Sequence, residues 1–309
     1  MQSAGHEAIL PSAHLLEVFM PYRKDEPRMI GVLKRAVDIG YYRGVELGVF
    51  FDEACRGEAR RIIWREKLNL TIFITPNLKE RRLLLCDLDA ARRRVAVDYT
   101  KQLVEMAAEQ GCSNLGLPSG DDPGDARREE AKAALGDSIH EIAALGRALG
   151  LNITIEPLDR YAFKRQLIGP MAETVAWFAP LHRENPNFFI HWDSAHEALG
   201  GIDLMESIDL ASPYIAQFHL CNAILDPAHP CFGDLHMDVG AAPDYATEGF
   251  LTPEAGAAIL KRVASHKKPA GVREIYASVE VLGHPGDDLW RKEKNSREFL
   301  RKCFEISGL

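Results

Sequence analysis

Four residues able to bind a cation each close a short apolar run. Glu156 follows NITI, Asp193 follows FFIHW, His219 follows IAQF and Glu280 follows YASV. Burying a carboxylate at the end of such a run costs free energy unless it is paired or bound to a cation. A lone Glu or Asp at a strand end is more often a helix cap or a surface charge. The repetition over four consecutive runs is what points to a shared centre. Three carboxylates and one imidazole make a hard, oxygen-rich donor set suited to one divalent metal ion. Manganese is the first expectation, with magnesium, cobalt or zinc as alternatives.

Further polar residues adjoin these runs. His196 lies three residues after Asp193 in WDSAHEAL, a spacing that can bring both to one turn. GDLHMDVG carries Asp234, His236 and Gly240, a D-x-H pair that can reach the same centre from a loop. The competing expectation is that His196 caps its helix and His236 is solvated. His191 shares a strand face with Asp193 by the two-residue period, which suits an interior histidine as well as a ligand. Glu46, in GVELG, lines the pocket or pairs with a basic residue such as Arg160. His14, Glu17 and Asn77 are weaker pocket candidates, and His229 or His236 could serve as an additional acid.

These residues need a scaffold. Short β-type runs alternate with helical stretches: Leu15–Met20, Gly44–Phe50, Leu68–Thr75, Ser113–Pro118, Leu151–Pro157, Phe188–Asp193, Ile215–Leu220 and Tyr276–Val281. Most are rich in branched or aromatic residues, as buried parallel strands are. Helical patterns run over Asp89–Gln110, Arg127–Leu149, Thr174–His182, Pro253–His266 and Asp287–Phe304, and Gly40, Gly111, Gly150 and Gly271 read as helix stops. Eight units of about 39 residues predict a single (β/α)8 TIM barrel spanning residues 1–309. An open doubly wound sheet is the alternative, but no GxGxxG or GxxxxGK[ST] follows the first run. In a barrel the strand ends meet at one mouth, where the four residues would converge.

Composition narrows the partners. The 309 residues are 46% hydrophobic and 27% charged, ordinary for a folded protein. A net charge of −8 makes nucleic acid a poor partner. The longest uncharged run, Leu210–Leu225, holds Pro213, Gln217, His219 and Asn222, and is too short and too polar to span a bilayer. MQSAGHEAILPSAH lacks a basic flank before an apolar core, and the six scattered cysteines form no CxxC, so a cytoplasmic protein with reduced thiols is expected. The Arg92–Arg94 run reads as a solvated helix face. The expected partner is a small-molecule carbohydrate; homo-oligomerisation is left open.

Glu156 in TIEPLDR, Asp193-x-x-His196, His219 in QFHLCN, Asp234-x-His236-x-x-x-Gly240 and Glu280 in SVEV together resemble the xylose isomerase-like TIM-barrel superfamily. The resemblance runs over nearly the whole chain and implies a sugar isomerase or epimerase. It assigns Glu156, Asp193, His219 and Glu280 to one divalent metal, the two glutamates to proton transfer, and His196 to a substrate oxygen. His236, Asp234, Glu46 and Arg160 complete the expected substrate-binding set. The expected reaction removes a proton next to a metal-bound carbonyl. A lyase, either a dehydratase or a β-eliminating enzyme acting on a keto-glycoside, is the alternative, followed by a non-catalytic metal-binding barrel. Two positions depart from the family's epimerases: Ala162 stands where they carry a further glutamate, and CNAILDPAHPC lacks their arginine. An endonuclease IV-like nuclease is disfavoured, since FITPN and GLPSG lack the histidines of its metal cluster. Specificity is expected to rest on the long loop Asn222–Gly249, with unphosphorylated substrates favoured because no phosphate-binding glycine loop is present.

Overall fold

The computed structural model describes residues 9–239 and 249–309. Nine strands are present among the described residues: β1 (Ile9–His14), β2 (Gly44–Leu47), β3 (Asn69–Phe73), β4 (Asn114–Leu117), β5 (Asn152–Ile155), β6 (Phe188–Asp193), β7 (Ile215–Ile224), β8 (Gly233–Met237) and β9 (Ile275–Glu280). Eight of them pair in parallel, with β1 joined to β9, β9 to β7 and β7 to β6, so the sheet closes into a TIM barrel ringed by helices. The exception, β8, pairs antiparallel with the extended end of β7.

The barrel starts earlier than the periodicity implies. Leu15–Val18, expected in the first strand, is a helical turn, and Met20–Tyr22 continues as a 3-10 turn. The strand is instead ILPSAH, whose pairing sets His14 beside Glu46. A short apolar run such as LLEVF is ambiguous between helix and strand. Here Leu15, Leu16, Val18 and Phe19 are all buried, so the turn packs its apolar surface inward. The correction has a consequence for the site, because it makes His14 a strand end.

The expected loop after β7 is also different. The strand runs on to Ile224 and folds back through β8, so Asp234 and His236 ride on a hairpin. Gly240, the last residue of the D-x-H motif, lies outside the described residues, as does part of the expected specificity loop. Gly40 and Gly111 end their helices in the left-handed conformation at φ 70° and 90°. The helix expected to run to His266 ends at Ala264, leaving Gly271 in a separate turn. All six cysteines are free. No helix among the described residues is long and apolar enough to cross a membrane.

Every side chain of β6 is buried, on both faces, as a parallel strand between barrel interior and helices requires. Trp192 and Phe188 belong to the main apolar core. The barrel interior beneath the mouth is polar. Glu46, Thr71, His191, Gln217 and Ser278 are all fully enclosed, and Thr71 donates to Gln217 at 2.5 Å.

Candidate metal centre and substrate cavity

The register converges the four strand-end residues. Asp193 stands opposite His219 on the neighbouring strand, and Cys221, two residues after His219, stands opposite Glu280. One ligand atom each from Glu156, Asp193, His219 and Glu280 lies within 4.8 Å of the others. These residues border a cavity of about 690 Å3 at the C-terminal mouth, with Glu156, His219 and Glu280 in its lining.

Each candidate ligand is aimed by its neighbours. Asp193 Oδ1 accepts the backbone N–H groups of Ala195 (2.7 Å) and His196 (3.1 Å), capping the helix Ser194–Leu199. Its Oδ2 is buried without a hydrogen-bond partner, as is Glu156 Oε1. Asp193 is thus both a helix cap and a free donor. His219 Nε2 lies 2.8 Å from Glu46 Oε2, and its Nδ1 lies 3.1 Å from Glu280 Oε2. A proton on Nε2 shared with Glu46 leaves the Nδ1 lone pair facing the carboxylates, the arrangement a metal-binding histidine needs. Two orphaned carboxylate oxygens, a third carboxylate and an oriented imidazole fit one divalent cation.

The electrostatics show the strain of this gathering. Burial pushes the Glu156 carboxyl up to about 8, reinforced by Glu280 and Asp193. Burial likewise raises Asp193 to about 6, with Glu280 and Asp234 adding to it. Glu280 is also penalised by burial, but His236, His219 and His14 outweigh that and hold it well below the usual carboxylate range. Burial disfavours charge on His219, yet Glu46 and Glu280 raise it well above an ordinary imidazole.

A second cluster adjoins the first. His196 does not cap its helix. Its Nδ1 lies 3.4 Å from Asp159, and its Nε2 lies 3.7 Å from Asp234 and 3.9 Å from Glu156. His236 is not solvated either. Its Nε2 is 2.9 Å from Asp234 Oδ2, and its Nδ1 is 3.3 Å from Glu280 and 3.5 Å from Glu17. The His236 backbone is left-handed at φ 48°, unusual for a residue with a Cβ. Its carbonyl accepts from Leu282 N at 2.8 Å, which fastens the hairpin to the end of β9. Gly233, at φ 111°, starts that hairpin where a Cβ would sit 2.2 Å from the Phe163 ring.

Lys164 completes the cluster, with Nζ 2.8 Å from Asp234 Oδ2 and 3.3 Å from His236 Nε2. Sequence reasoning missed both Lys164 and Asp159. Asking which cation offsets a buried Asp234 would have prompted a search for the former. Asp159 accepts backbone N–H groups from Phe163 and Lys164, folding the loop after β5 so that Lys164 turns inward.

Other expected residues lie elsewhere. Glu46 does not pair with Arg160. It sits fully enclosed below the cavity, accepts from Ser278 Oγ at 2.6 Å and lies 3.4 Å from His14. Arg160 is turned away from the cavity toward Glu173 (2.6 Å) and the Leu167 carbonyl (3.0 Å). A guanidinium in the loop after β5 cannot reach an acid inside β2. His14 and Glu17 line the cavity, whereas Asn77 lines a smaller one of about 270 Å3. His229 is outside the cavity lining and accepts from Cys231 N at 3.0 Å. His191 lies inside the barrel, its ring edge-on to His219 at 3.9 Å and both nitrogens without a hydrogen-bond partner. Burial, aided by His219, holds it well below an ordinary imidazole, hence neutral.

A closed parallel barrel with titratable groups gathered at one mouth defines a class of metal-capable TIM barrels. The chain matches the xylose isomerase-like TIM barrel family over residues 33–303, and it belongs to that family. Among solved structures, L-ribulose 3-epimerase superposes with a TM-score of 0.68 at 14% identity, covering 97% of this chain and 96% of the other. D-psicose 3-epimerase gives 0.65 at 15% identity, with 97% and 100% covered. The 3-keto-D-glucoside 4-epimerase from E. coli gives 0.59 at 15% identity, with 87% and 92% covered. No curated protein matches the chain in sequence.

Proposed function

We propose that the protein is a divalent-metal-dependent isomerase or epimerase acting on a keto sugar or a related polyol-derived substrate. The observation that carries this reading is the meeting of Glu156, Asp193, His219 and Glu280 within 4.8 Å at the floor of a sugar-sized cavity. Those four residues would hold the cation, with manganese the first choice for this donor set. When bound, the metal supplies Lewis-acid polarisation of the substrate carbonyl. Glu156 and Glu280 reach the floor from strands separated in the barrel by β6 and β7. One removes the proton from the carbon next to the carbonyl, and the other returns it. Return to the neighbouring carbon isomerises the sugar; return to the opposite face of the same carbon epimerises it. His196, His236 and Lys164 face the same cavity and donate hydrogen bonds to substrate oxygens. The kinship with sugar epimerases in fold supports this chemistry.

The test is exchange of carbon-bound hydrogen with D2O, followed by NMR on the Mn2+-saturated protein. Glu280→Gln is expected to slow it by about 10²–10⁴-fold, the usual contribution of a positioned acid or base. Full activity in that variant would remove the proton-transfer role.

A further inference from the structure

We propose that His14, Glu17, His236 and the outer edge of Glu280 form a second cation site, suited to zinc, whose occupation switches the floor off. The site stands on donor geometry alone. Its inhibitory effect rests on the proton-transfer reading above and deepens it.

The first strand brings these donors together. Because β1 begins at Ile9, His14 closes it, and Glu17 lies in the helical turn that follows. One ligand atom each from His14, Glu17 and Glu280 lies within 4.8 Å of the others. His14 Nε2 is 3.4 Å from Glu280 Oε1, and His236 Nδ1 is 3.3 Å from the same oxygen and 3.5 Å from Glu17 Oε2. Charge-assisted hydrogen bonds are shorter, about 2.7–2.9 Å, so ion pairing alone does not account for the spacing. Two donors held about 2.0–2.1 Å from a tetrahedral zinc stand roughly 3.3–3.4 Å apart. Glu280 thus offers two edges, with Oε2 turned to His219 and the first centre and Oε1 turned to this second group.

The rings are oriented for ligation. His14 Nδ1 faces Glu46 Oε2 at 3.4 Å, and His236 Nε2 faces Asp234 Oδ2 at 2.9 Å. Protons on those two nitrogens leave the His14 Nε2 and His236 Nδ1 lone pairs toward the carboxylates, as ligating histidines require. His236 Nδ1 is buried without a hydrogen-bond partner. Lys164, the neighbouring cation, lies on the Nε2 side of that ring. The backbone holds the arrangement from the β9 side. Gly283 N donates to Glu17 O at 3.0 Å, and Leu282 N donates to His236 O at 2.8 Å. Two imidazoles and two carboxylates make a softer set than the three carboxylates and one imidazole of the first centre, and four N and O donors suit tetrahedral zinc. A zinc ion there engages Glu280 Oε1 and His236 Nδ1. The carboxylate then no longer accepts a proton from carbon, and His236 no longer donates to a substrate oxygen.

The test titrates the Mn2+-loaded protein with Zn2+ and measures both metals retained after gel filtration. Zinc is expected to enter while the manganese stays. A hydrogen-bonding partner of a metal ligand is worth about 10–100-fold in affinity, and Glu17→Gln removes a ligand itself, so zinc binding is expected to weaken by at least about 100-fold. Zinc entering only as manganese leaves, one for one, overturns the second site. So does a zinc equivalent that Glu17→Gln binds as tightly as the parent protein, since that ion lies elsewhere. Anomalous scattering at the zinc edge gives an independent reading, with a peak expected between Glu17 and His236. Exchange of carbon-bound hydrogen with D2O, read by NMR over a panel of ketopentoses and ketohexoses, tests the inhibition. Zinc is expected to slow it by about 10²-fold or more, the contribution of a positioned acid or base. Zinc bound beside manganese with exchange undiminished overturns the inhibitory role. No exchange from any sugar before zinc is added overturns the functional reading and the inhibition with it, while the metal counts still decide the site.

Discussion

The two mouths of the barrel enclose cavities of similar size and opposite chemistry. The N-terminal mouth holds about 610 Å3, against about 690 Å3 at the C-terminal one. Its lining is built on neutral amides: Asn152 donates to Asn114 at 3.1 Å, and Asn69 donates to Thr71 at 3.4 Å. Of its three charged residues, Lys67 and Arg273 are exposed and Glu274 is half-buried, so water reaches all of them. At the C-terminal mouth exposed Lys79 and Glu80 border the cavity, but the acids Glu156 and Glu280 are enclosed and their proton affinities are pushed apart. Cavity volume does not distinguish the two ends. What does is charge held out of water, which persists only where a ligand or counter-charge repays its cost.

The sharpest physical measure of that cost comes from Glu197, a buried acid behind the C-terminal mouth. It accepts a hydrogen bond from Ser207 Oγ at 2.7 Å. Burial nevertheless raises its carboxyl from an ordinary 4.5 to about 7. The sign follows from proton counting. Between those values the folded state holds more proton than the unfolded one, so stability falls as pH rises. Below 4.5 both states are protonated and the penalty vanishes; above 7 it is complete. At about 1.4 kcal/mol per tenfold in proton affinity, the full penalty is roughly 3 kcal/mol. Glu197→Gln keeps an acceptor for Ser207 and removes the titration. Denaturant unfolding across pH 4 to 8 is therefore expected to show the variant gaining on the parent protein by about that amount. Parallel curves would show that the end-specific burial cost has been overestimated.

A smaller effect tests how the polar layer below the mouth supports the floor. Glu46 fixes His219 through Nε2, and burial opposes its ionisation, but His219 and His14 hold it down to about 2. Glu46→Gln preserves shape while weakening the pull on the imidazole. Mn2+ affinity by titration calorimetry is expected to fall by about 10–100-fold, the range for a group orienting a metal-binding histidine. Unchanged affinity would mean that Glu46 is structural and that the floor is set by the four converging residues alone.

The same contrast explains what could be read from the sequence. Glu156, Asp193, His219 and Glu280 were legible because each closes an apolar run in a parallel strand, and the C-terminal sides of barrel strands share one mouth. The eight-strand architecture followed from the alternation of short β-runs with helices. The first strand was not legible: ILPSAH has little β-branched character, while the adjacent LLEVF does not distinguish strand from helix. Lys164 was hidden for a different reason. Its position depends on Asp159 folding a loop through backbone hydrogen bonds, and loops carry no period to read. The Glu46–Arg160 pairing failed because charge complementarity says nothing about depth. Glu46 lies inside the barrel, and Arg160 is occupied by Glu173.

The smallest predicted effect lies at the other mouth, and there the comparison can be broken most directly. Asn152→Ala removes the half-buried amide bond to Asn114. A neutral hydrogen bond of this kind is worth about 1 kcal/mol net, so the midpoint of urea unfolding is expected to fall slightly with an unchanged slope. Asn152 lies at the start of β5, whereas Glu156 directly follows its end. The strand is held in register between β4 and β6 by backbone pairing, which the substitution leaves in place. Metal affinity and hydrogen exchange are accordingly expected to match the parent protein. If exchange instead fell tenfold while stability barely moved, the amide-lined end would have to communicate with the floor through the barrel interior. The division between a neutral scaffold end and a charged chemical end would then no longer describe the molecule.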